Sequence, residues 1–294
     1  MVEEIVYLNG ALFPRSQARI SPFDHGFLYG YGLYETMRAY SGRFFRLEQH
    51  LARLAHSAEM LGLSSGLAQY DLEKAVYDTL AANGLQDARV RLTVSAGEGD
   101  MIPDPRTCVG PTVLVMAKAL VPQPAEVYQR GFKAMISSIR QNSQSPLAQI
   151  KSANNLNNIL AKSEARAAGF DDALFLNEQG FLAEASSSNI FIISQGILTT
   201  PSLESGALGG ITRQVVLELA ASLGIAVKEE NALTVEALLQ ADEAFLTNSI
   251  IEIMPLTEVD GQPVGSGVPG RMTQRLMAAY KDLVAKETAS PRSL

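Results

Sequence analysis

A single cysteine, Cys108, is all the chain contains, so no disulfide can close within it and no cysteine-built zinc site can be assembled. One free thiol also suits a reducing compartment. Histidine is nearly as scarce: His25, His50 and His56 are the only three, all in the first fifth of the chain. A histidine-rich metal centre or a histidine-dependent hydrolase would have to be built from that corner alone, so no metal site is expected. No apolar run approaches the ~20 residues that a membrane span requires. The opening MVEEIVYLNG lacks both the basic start and the apolar stretch of a signal peptide. Basic residues number 24 against 31 acidic ones, a formal charge of -7, whereas a nucleic-acid surface needs the opposite balance. A local basic pocket for a small anion stays open. These absences describe a cytoplasmic protein with neither nucleic-acid nor membrane partners.

What is present is globular material, 294 residues of which 47% are hydrophobic and 19% charged. At roughly 100–200 residues per domain the length suggests two domains or one large one. The prolines of 121-VPQPA-125 mark the best interdomain linker, dividing a small N-terminal domain (1–120) from a large C-terminal one (126–294).

Periodicity fills in the elements. Residues 5–8 and 11–13 flank Asn9-Gly10, a two-residue hairpin signal. A strand-like run, 33–40, ends at the turn Ser41-Gly42. The helix 47–61 gathers Leu47, Leu51, Leu54, Ala58 and Leu61 on one face, with His50, Arg53 and His56 elsewhere on it. A second amphipathic helix carries Leu72, Val76 and Leu80. Along 88-ARVRLTVS-95, Val90, Leu92 and Val94 point one way and Arg89, Arg91 and Thr93 the other. A strand at 112–117 follows. Further strands are expected at 132–138, 173–176, 189–193, 225–228 and 243–247, with hairpin turns at Gln179-Gly180 and Gln195-Gly196. Helices should cover 155–168, 212–223, 234–240 and 271–285, and the tail after Glu287 should fray.

Two pattern matches carry no chemistry. Gly62-Leu63-Ser64-Ser65-Gly66 fits G-x-S-x-G, but a helix precedes it where a strand is required, so it reads as a helix end and turn. Gly265, Gly267 and Gly270 fit G-x-G-x-x-G, yet Pro269 intervenes and the surroundings read as a loop before the last helix.

Three other stretches are more informative. In 209-GGITR-213 two glycines lead into a helix whose first amides suit a phosphate, although many helices begin this way without one. Lys151 lies between an apolar approach and an asparagine-rich helix start. A lysine beside the interior can become nucleophilic toward aldehydes, while among eight lysines a snorkelling side chain is the ordinary case. Glu184 precedes a strand and three serines whose hydroxyls could simply cap it.

Taken in order and spacing, 24-DHGFLYGYGLYETMR-38, 50-HLARL-54, Ile150-Lys151-Ser152, 158-NILAKSEA-165, 182-LAEASSSNIF-191, 209-GGITR-213 and 241-ADEAFLTNSIIEIMPL-256 resemble the class IV (fold type IV) pyridoxal phosphate enzymes. That family includes branched-chain and D-amino acid aminotransferases and 4-amino-4-deoxychorismate lyases. The resemblance spans nearly the whole chain. It implies a two-domain α/β (α+β) fold, a smaller N-terminal and a larger C-terminal domain with pyridoxal 5'-phosphate between them, and a homodimer. It further implies that Lys151 carries the cofactor and moves protons, and that Glu184 faces the pyridine nitrogen. Arg53, Ile211, Thr212 and Ser249 match phosphate ligands, and Leu208 matches the residue packed on the ring. For a small-molecule amine substrate, Tyr34, Arg91 and Asn248 are the candidate contacts.

Within the family the motifs divide. Branched-chain enzymes usually carry E-G-x-G-x-N and S/T-G-T-A where this chain has Glu184 to Asn189 with three serines and Thr247-Asn248-Ser249-Ile250. The serines look like those of D-amino acid aminotransferases, but their arginine–histidine pair is absent, since Leu92-Thr93 follows Arg91. SPFDHGFLYG, ARVRL and LTNSIIEIMPL look most like bacterial aminodeoxychorismate lyases. The expected activity is therefore the lyase reaction, with an aminotransferase as the alternative. A non-catalytic relative that kept the fold is disfavoured by intact Lys151 and Glu184.

Overall fold

The computed structural model describes residues 3–289. They form two compact units, the first taking the chain as far as Val121, with Ile150–Asn154 and the chain from Glu287, and the second taking Pro122–Gln149 and Asn155–Lys286. Among the described residues no helix is long and apolar enough to cross a membrane.

In the first unit, strands β1 (Ile5–Leu8) and β2 (Ala11–Pro14) turn through Asn9 (φ 48°) and Gly10 (φ 99°), the left-handed pair that the Asn-Gly hairpin signal demands. With β3 (Gly32–Tyr40), β4 (Arg43–Phe44), β5 (Ala88–Ser95) and β6 (Thr112–Ala119) they make an antiparallel sheet in the order β2-β1-β6-β5-β3-β4. Helices α1 (His25–Tyr29), α2 (Leu47–Met60), α3 (Ser64–Leu67) and α4 (Leu72–Ala82) complete it. Strand alternation divides the sheet into two faces. Leu33, Glu35, Met37, Val90, Leu92 and Val94 are wholly buried, sharing a core with Leu54 and Ala58 of α2 and Val76 and Leu80 of α4. Each such apolar side chain contributes roughly 1.5–3 kcal/mol of transfer free energy. On the opposite parity the register aligns Tyr34 with Thr93, Thr36 with Arg91 and Arg38 with Arg89. Gly62 takes φ 69° just after α2 and Ser64 opens α3, so the serine pattern there is a helix end and a turn into a short helix.

The segment Ile150–Asn154 lies far along the chain yet pairs with β3. Tyr34 N donates to Lys151 O at 3.0 Å and Ala153 N to Gly32 O at 2.8 Å, with an antiparallel bridge between Leu33 and Ser152. Sequence order alone puts Lys151 among the residues of the second domain. Backbone pairing puts it in the first unit.

The second unit opens with α5 (Ala125–Arg130) after the proline segment. Its strands are β7 (Phe132–Gln141), β8 (Asp172–Asn177), β9 (Leu182–Ala185), β10 (Asn189–Ser194), β11 (Ile197–Pro201), β12 (Val227–Glu230), β13 (Glu243–Asn248), β14 (Glu252–Val259) and β15 (Gln262–Pro263). They form one mixed sheet in the order β12-β11-β10-β13-β14-β7-β8-β9, with β15 on β14. Helices α6 (Leu156–Ala167), α7 (Ile211–Ser222), α8 (Val235–Leu239) and α9 (Arg271–Thr288) correspond to the four expected. Strands β9, β11, β14 and β15 have no counterpart among the expected strands, and β14 carries Pro255. The proline is tolerated since pairing with β7 begins only at Leu256. Glu184 lies inside β9, and the three serines after it lead into β10 as expected. Of the tail expected to fray, Thr288 is still helical and residues 290–294 lie outside the described residues.

Candidate active site

In the first unit the amine of Lys151 stands 4.5 Å from the centroid of the Tyr34 ring, and the guanidinium carbon of Arg91 stands 3.8 Å from the same centroid. Tyr34 therefore presents its aromatic ring to two cations, an arrangement the ring quadrupole favours. Arg91 also donates from Nε to Thr93 Oγ1 at 3.2 Å. It is half-buried, and among the described residues no carboxylate pairs with it. Burial pushes its pKa down and neighbouring Arg89 adds to that, while Tyr34 opposes both. A guanidinium in that state, without a carboxylate, has the charge and donors to receive an anion.

Across the sheet a second cluster occupies the core face. Glu35, with no exposed surface, takes Arg53 Nε on Oε1 and Arg53 Nη2 on Oε2, both at 2.7 Å, and His50 Nδ1 on Oε2 at 2.7 Å. A carboxylate only accepts, so Nδ1 carries the proton it donates. Burial pushes the Glu35 carboxyl up, but the Arg53 charge and the His50 and Arg53 hydrogen bonds outweigh it and bring its pKa down to about 2. Burial holds His50 below its ordinary value, against the pull of Glu35. The helix pattern sets His50 and Arg53 apart from the apolar stripe of α2. His50 is in fact buried and Arg53 half-buried, because both turn to the carboxylate. Glu35 is a site residue that sequence reasoning missed. Its signal is a lone acid on the apolar parity of 33-LYETM-37, facing His50 and Arg53 three apart on a helix.

In the second unit three distant stretches converge. Glu184 Oε2 accepts the Leu208 amide at 3.0 Å. Asn189 Nδ2 donates to Leu208 O at 2.8 Å and reaches Glu184 Oε2 at 3.5 Å. A Cβ at Gly210, which precedes α7, would stand 2.0 Å from Asn189 Oδ1, so any other residue there would displace the Asn189 carboxamide. The helix start is consequently uncapped by any side chain, leaving the first-turn amides of Ile211 and Thr212 as donors beside the buried Thr212 hydroxyl. Ser249 sits in the β13–β14 turn, after Asn248. Thr247, in register with Asn189, is 1% exposed and its Oγ1 has no hydrogen-bond partner. Of the three serines after Glu184, Ser186 donates its hydroxyl to Asp172 at 2.5 Å and Ser188 accepts from Asn248 at 2.9 Å. Asn189 and Thr247 are further residues the sequence did not single out. Both lie within quoted motifs, and only the strand register pairs them.

The donor set suits pyridoxal phosphate. The first unit offers an amine of the kind an aldehyde calls for (Lys151) and a guanidinium of the kind a phosphate calls for (Arg53), and the second offers a carboxylate suited to a pyridine nitrogen (Glu184) and uncapped helix amides and hydroxyls suited to a phosphate (Ile211, Thr212, Ser249). The unsatisfied Thr247 hydroxyl points to a polar occupant in the second unit. Among the described residues no group of three or more His, Cys, Asp or Glu is arranged to hold a metal.

Comparison with known proteins agrees with this chemistry. A family model for class IV amino-transferases matches residues 32–259. A provisionally named branched-chain-amino-acid aminotransferase of Methanocaldococcus jannaschii is 40% identical over 282 residues, covering 96% of each chain. The aminodeoxychorismate lyase of Bacillus subtilis is 37% identical over 279 residues, covering 94% of each. Among solved structures, a T.th. branched-chain amino acid aminotransferase complexed with N-(5'-phosphopyridoxyl)-L-glutamate superposes with a TM-score of 0.90 at 30% identity, covering 99% of this chain and 96% of that one.

Proposed function

This chain belongs to the class IV aminotransferase family, and on that premise we propose that it is a pyridoxal phosphate enzyme converting 4-amino-4-deoxychorismate to 4-aminobenzoate and pyruvate, a step toward folate. The observation that carries the reading is the polar face beside Lys151. Tyr34, Thr36, Arg91 and Thr93 lie there in register, offering hydroxyls and a guanidinium where an aliphatic side chain would need apolar walls. A ring bearing two carboxylates suits that surface, with one carboxylate on Arg91.

Bound pyridoxal phosphate supplies an electron sink for the pair left when a proton departs near the substrate amine. Lys151 would hold the cofactor through its Nζ, and the same Nζ would be the base that takes the ring proton and hands it to the departing enolpyruvate carbon. The ring–oxygen bond to the enolpyruvyl group then breaks, the ring becomes aromatic, and the proton count closes as enolpyruvate is protonated to pyruvate. Glu184, oriented by the Leu208 amide and Asn189, would hold the pyridine N–H. Arg53, the Ile211 and Thr212 amides and the Thr212 and Ser249 hydroxyls would hold the phosphate, with Leu208 against the ring.

A second reading is favoured by the 40% identical Methanocaldococcus jannaschii relative. In an aminotransferase, Arg91 would receive the distal carboxylate of a dicarboxylate amino donor. The two share the first proton abstraction and differ in where the proton returns. On either reading the enzyme works in the cytoplasm as a homodimer. Phe27, 77% exposed, with Ile20, Phe23, Leu28 and Tyr29 in the same stretch, is the apolar surface a second copy would cover. Product analysis with aminodeoxychorismate against a panel of amino donors decides between the two. Absence of 4-aminobenzoate above background, alongside steady amino transfer to 2-oxoglutarate or pyruvate, assigns the enzyme to the aminotransferases.

A further inference from the structure

Asn248 stands out in the sequence as a contact for substrate, but the structure spends it elsewhere. Its Oδ1 accepts the amide of Ile250 at 2.8 Å and that of Ile251 at 2.9 Å. Its Nδ2 donates to the carbonyl of Ser187 at 3.0 Å and to Ser188 Oγ at 2.9 Å. Amides only donate and a carbonyl only accepts, so the orientation of the carboxamide is fixed. Two donor hydrogens and two acceptor lone pairs are its whole capacity. All four are used inside the second unit, and a substrate atom would have to displace one of them.

The two ends of the side chain hold different loops. The oxygen shapes the β13–β14 turn that presents Ser249. The nitrogen holds the serine loop, which leaves β9 directly after Glu184 and Ala185 and enters β10 at Asn189, the residue that reaches Glu184. On its other side the same loop is tied by Ser186 to Asp172 at 2.5 Å and by Asn158 to Ser186 O at 3.0 Å. The loop behind Glu184 is thus anchored toward the sheet by one set of bonds and toward the Ser249 turn by Asn248.

We propose that Asn248 is a positioning residue that fixes the Ser249 hydroxyl and the Glu184 carboxylate relative to one another, so that a cofactor held by one is in register for the other. The inference rests on the pyridoxal phosphate reading and concerns how the chain prepares for that group.

Pyridoxal phosphate affinity, read by absorbance titration of the resolved enzyme, tests it. Asn248→Ala removes both ends. Asn248→Asp keeps the acceptor for the Ile250 and Ile251 amides and loses both donors to the serine loop, a near-isosteric change that preserves the turn. Each is expected to weaken cofactor binding about tenfold, as losing paired hydrogen bonds would. A double-mutant cycle of Glu184→Gln with Ser249→Ala should be non-additive with Asn248 in place and additive within about twofold when repeated in the Asn248→Ala variant. Unchanged cofactor affinity with a raised KM for the amine would make Asn248 a substrate contact and overturn the proposal. Unchanged affinity with only a lowered Tm would make it a fold element and overturn it equally. If the wild-type protein takes up no pyridoxal phosphate, the functional reading itself fails, before any variant is compared.

Discussion

Arg53 grips Glu35 side-on, Nε to Oε1 and Nη2 to Oε2, both at 2.7 Å, on a carboxylate with no exposed surface. A buried pair of this kind is costly to break from one side, by about 3–5 kcal/mol, because the remaining charge is left uncompensated. The arrangement fixes the orientation of the planar guanidinium.

Acid should therefore find this cluster. Glu35 is held at about 2, below its ordinary value, so its contribution is complete above the unfolded pKa of about 4.3 and is lost as pH falls from there toward 2. Its size is on the order of a few kcal/mol. His50 is also held low, so its buried neutral form favours the fold above about 6.5 and begins to be lost below it. Urea unfolding from pH 7 to 3 should show stability falling throughout, and Glu35→Gln should be less stable at pH 7 and flatter below pH 5. Parallel slopes in the two proteins would acquit Glu35.

Lys151→Ala should reduce turnover by about a thousandfold or more and abolish the adduct trapped by borohydride. Peptide mapping of the trapped wild-type protein checks the assignment directly. Label on Lys133 or Lys162 would show that the motif resemblance picks out the wrong lysine.

Glu184→Gln keeps an oxygen for the Leu208 amide and removes the charge. The fold should survive with little change in Tm, while turnover slows about a hundredfold as the pyridine N–H loses its anion. Near-normal turnover would remove Glu184 from the mechanism.

Arg91→Leu tests the substrate side. It takes away a half-buried guanidinium that no carboxylate of the described residues engages. Catalytic efficiency with a dicarboxylate substrate should fall about 10–100-fold, the value of a charge-assisted contact, with cofactor affinity changed less than about twofold. Wild-type efficiency with the best substrate would return Arg91 to a structural role.

Much of this was legible in the residues. The Asn9-Gly10 hairpin, the alternation of Val90, Leu92 and Val94, and the apolar stripe of α2 are local patterns, and each formed the element it announced. The opening of α7 could be read from Gly209-Gly210. What lay beyond reach was pairing between distant stretches. Glu35 is one acidic letter until α2 brings His50 and Arg53 onto it, and Asn248 looks like a free carboxamide until the Ser187 and Ser188 loop arrives. Strand β14 was not legible either, because whether Pro255 can sit inside a strand depends on which side lacks a partner there, and that depends on register.

The bridge between Leu33 and Ser152 also has a kinetic side. Strand β3 reaches β5 only through α2, α3 and α4, and the lysine segment must return to β3 across more than a hundred residues of chain, as β6 returns to β1. Closing so long a loop costs more entropy than closing a hairpin, and contacts of high sequence separation slow folding. A fragment ending at Val121 would carry the sheet, Arg53 and Arg91 but not the amine. The Lys151 amine is encoded as a late graft onto the sheet, so a nascent chain gains it only after the ribosome has passed residue 154.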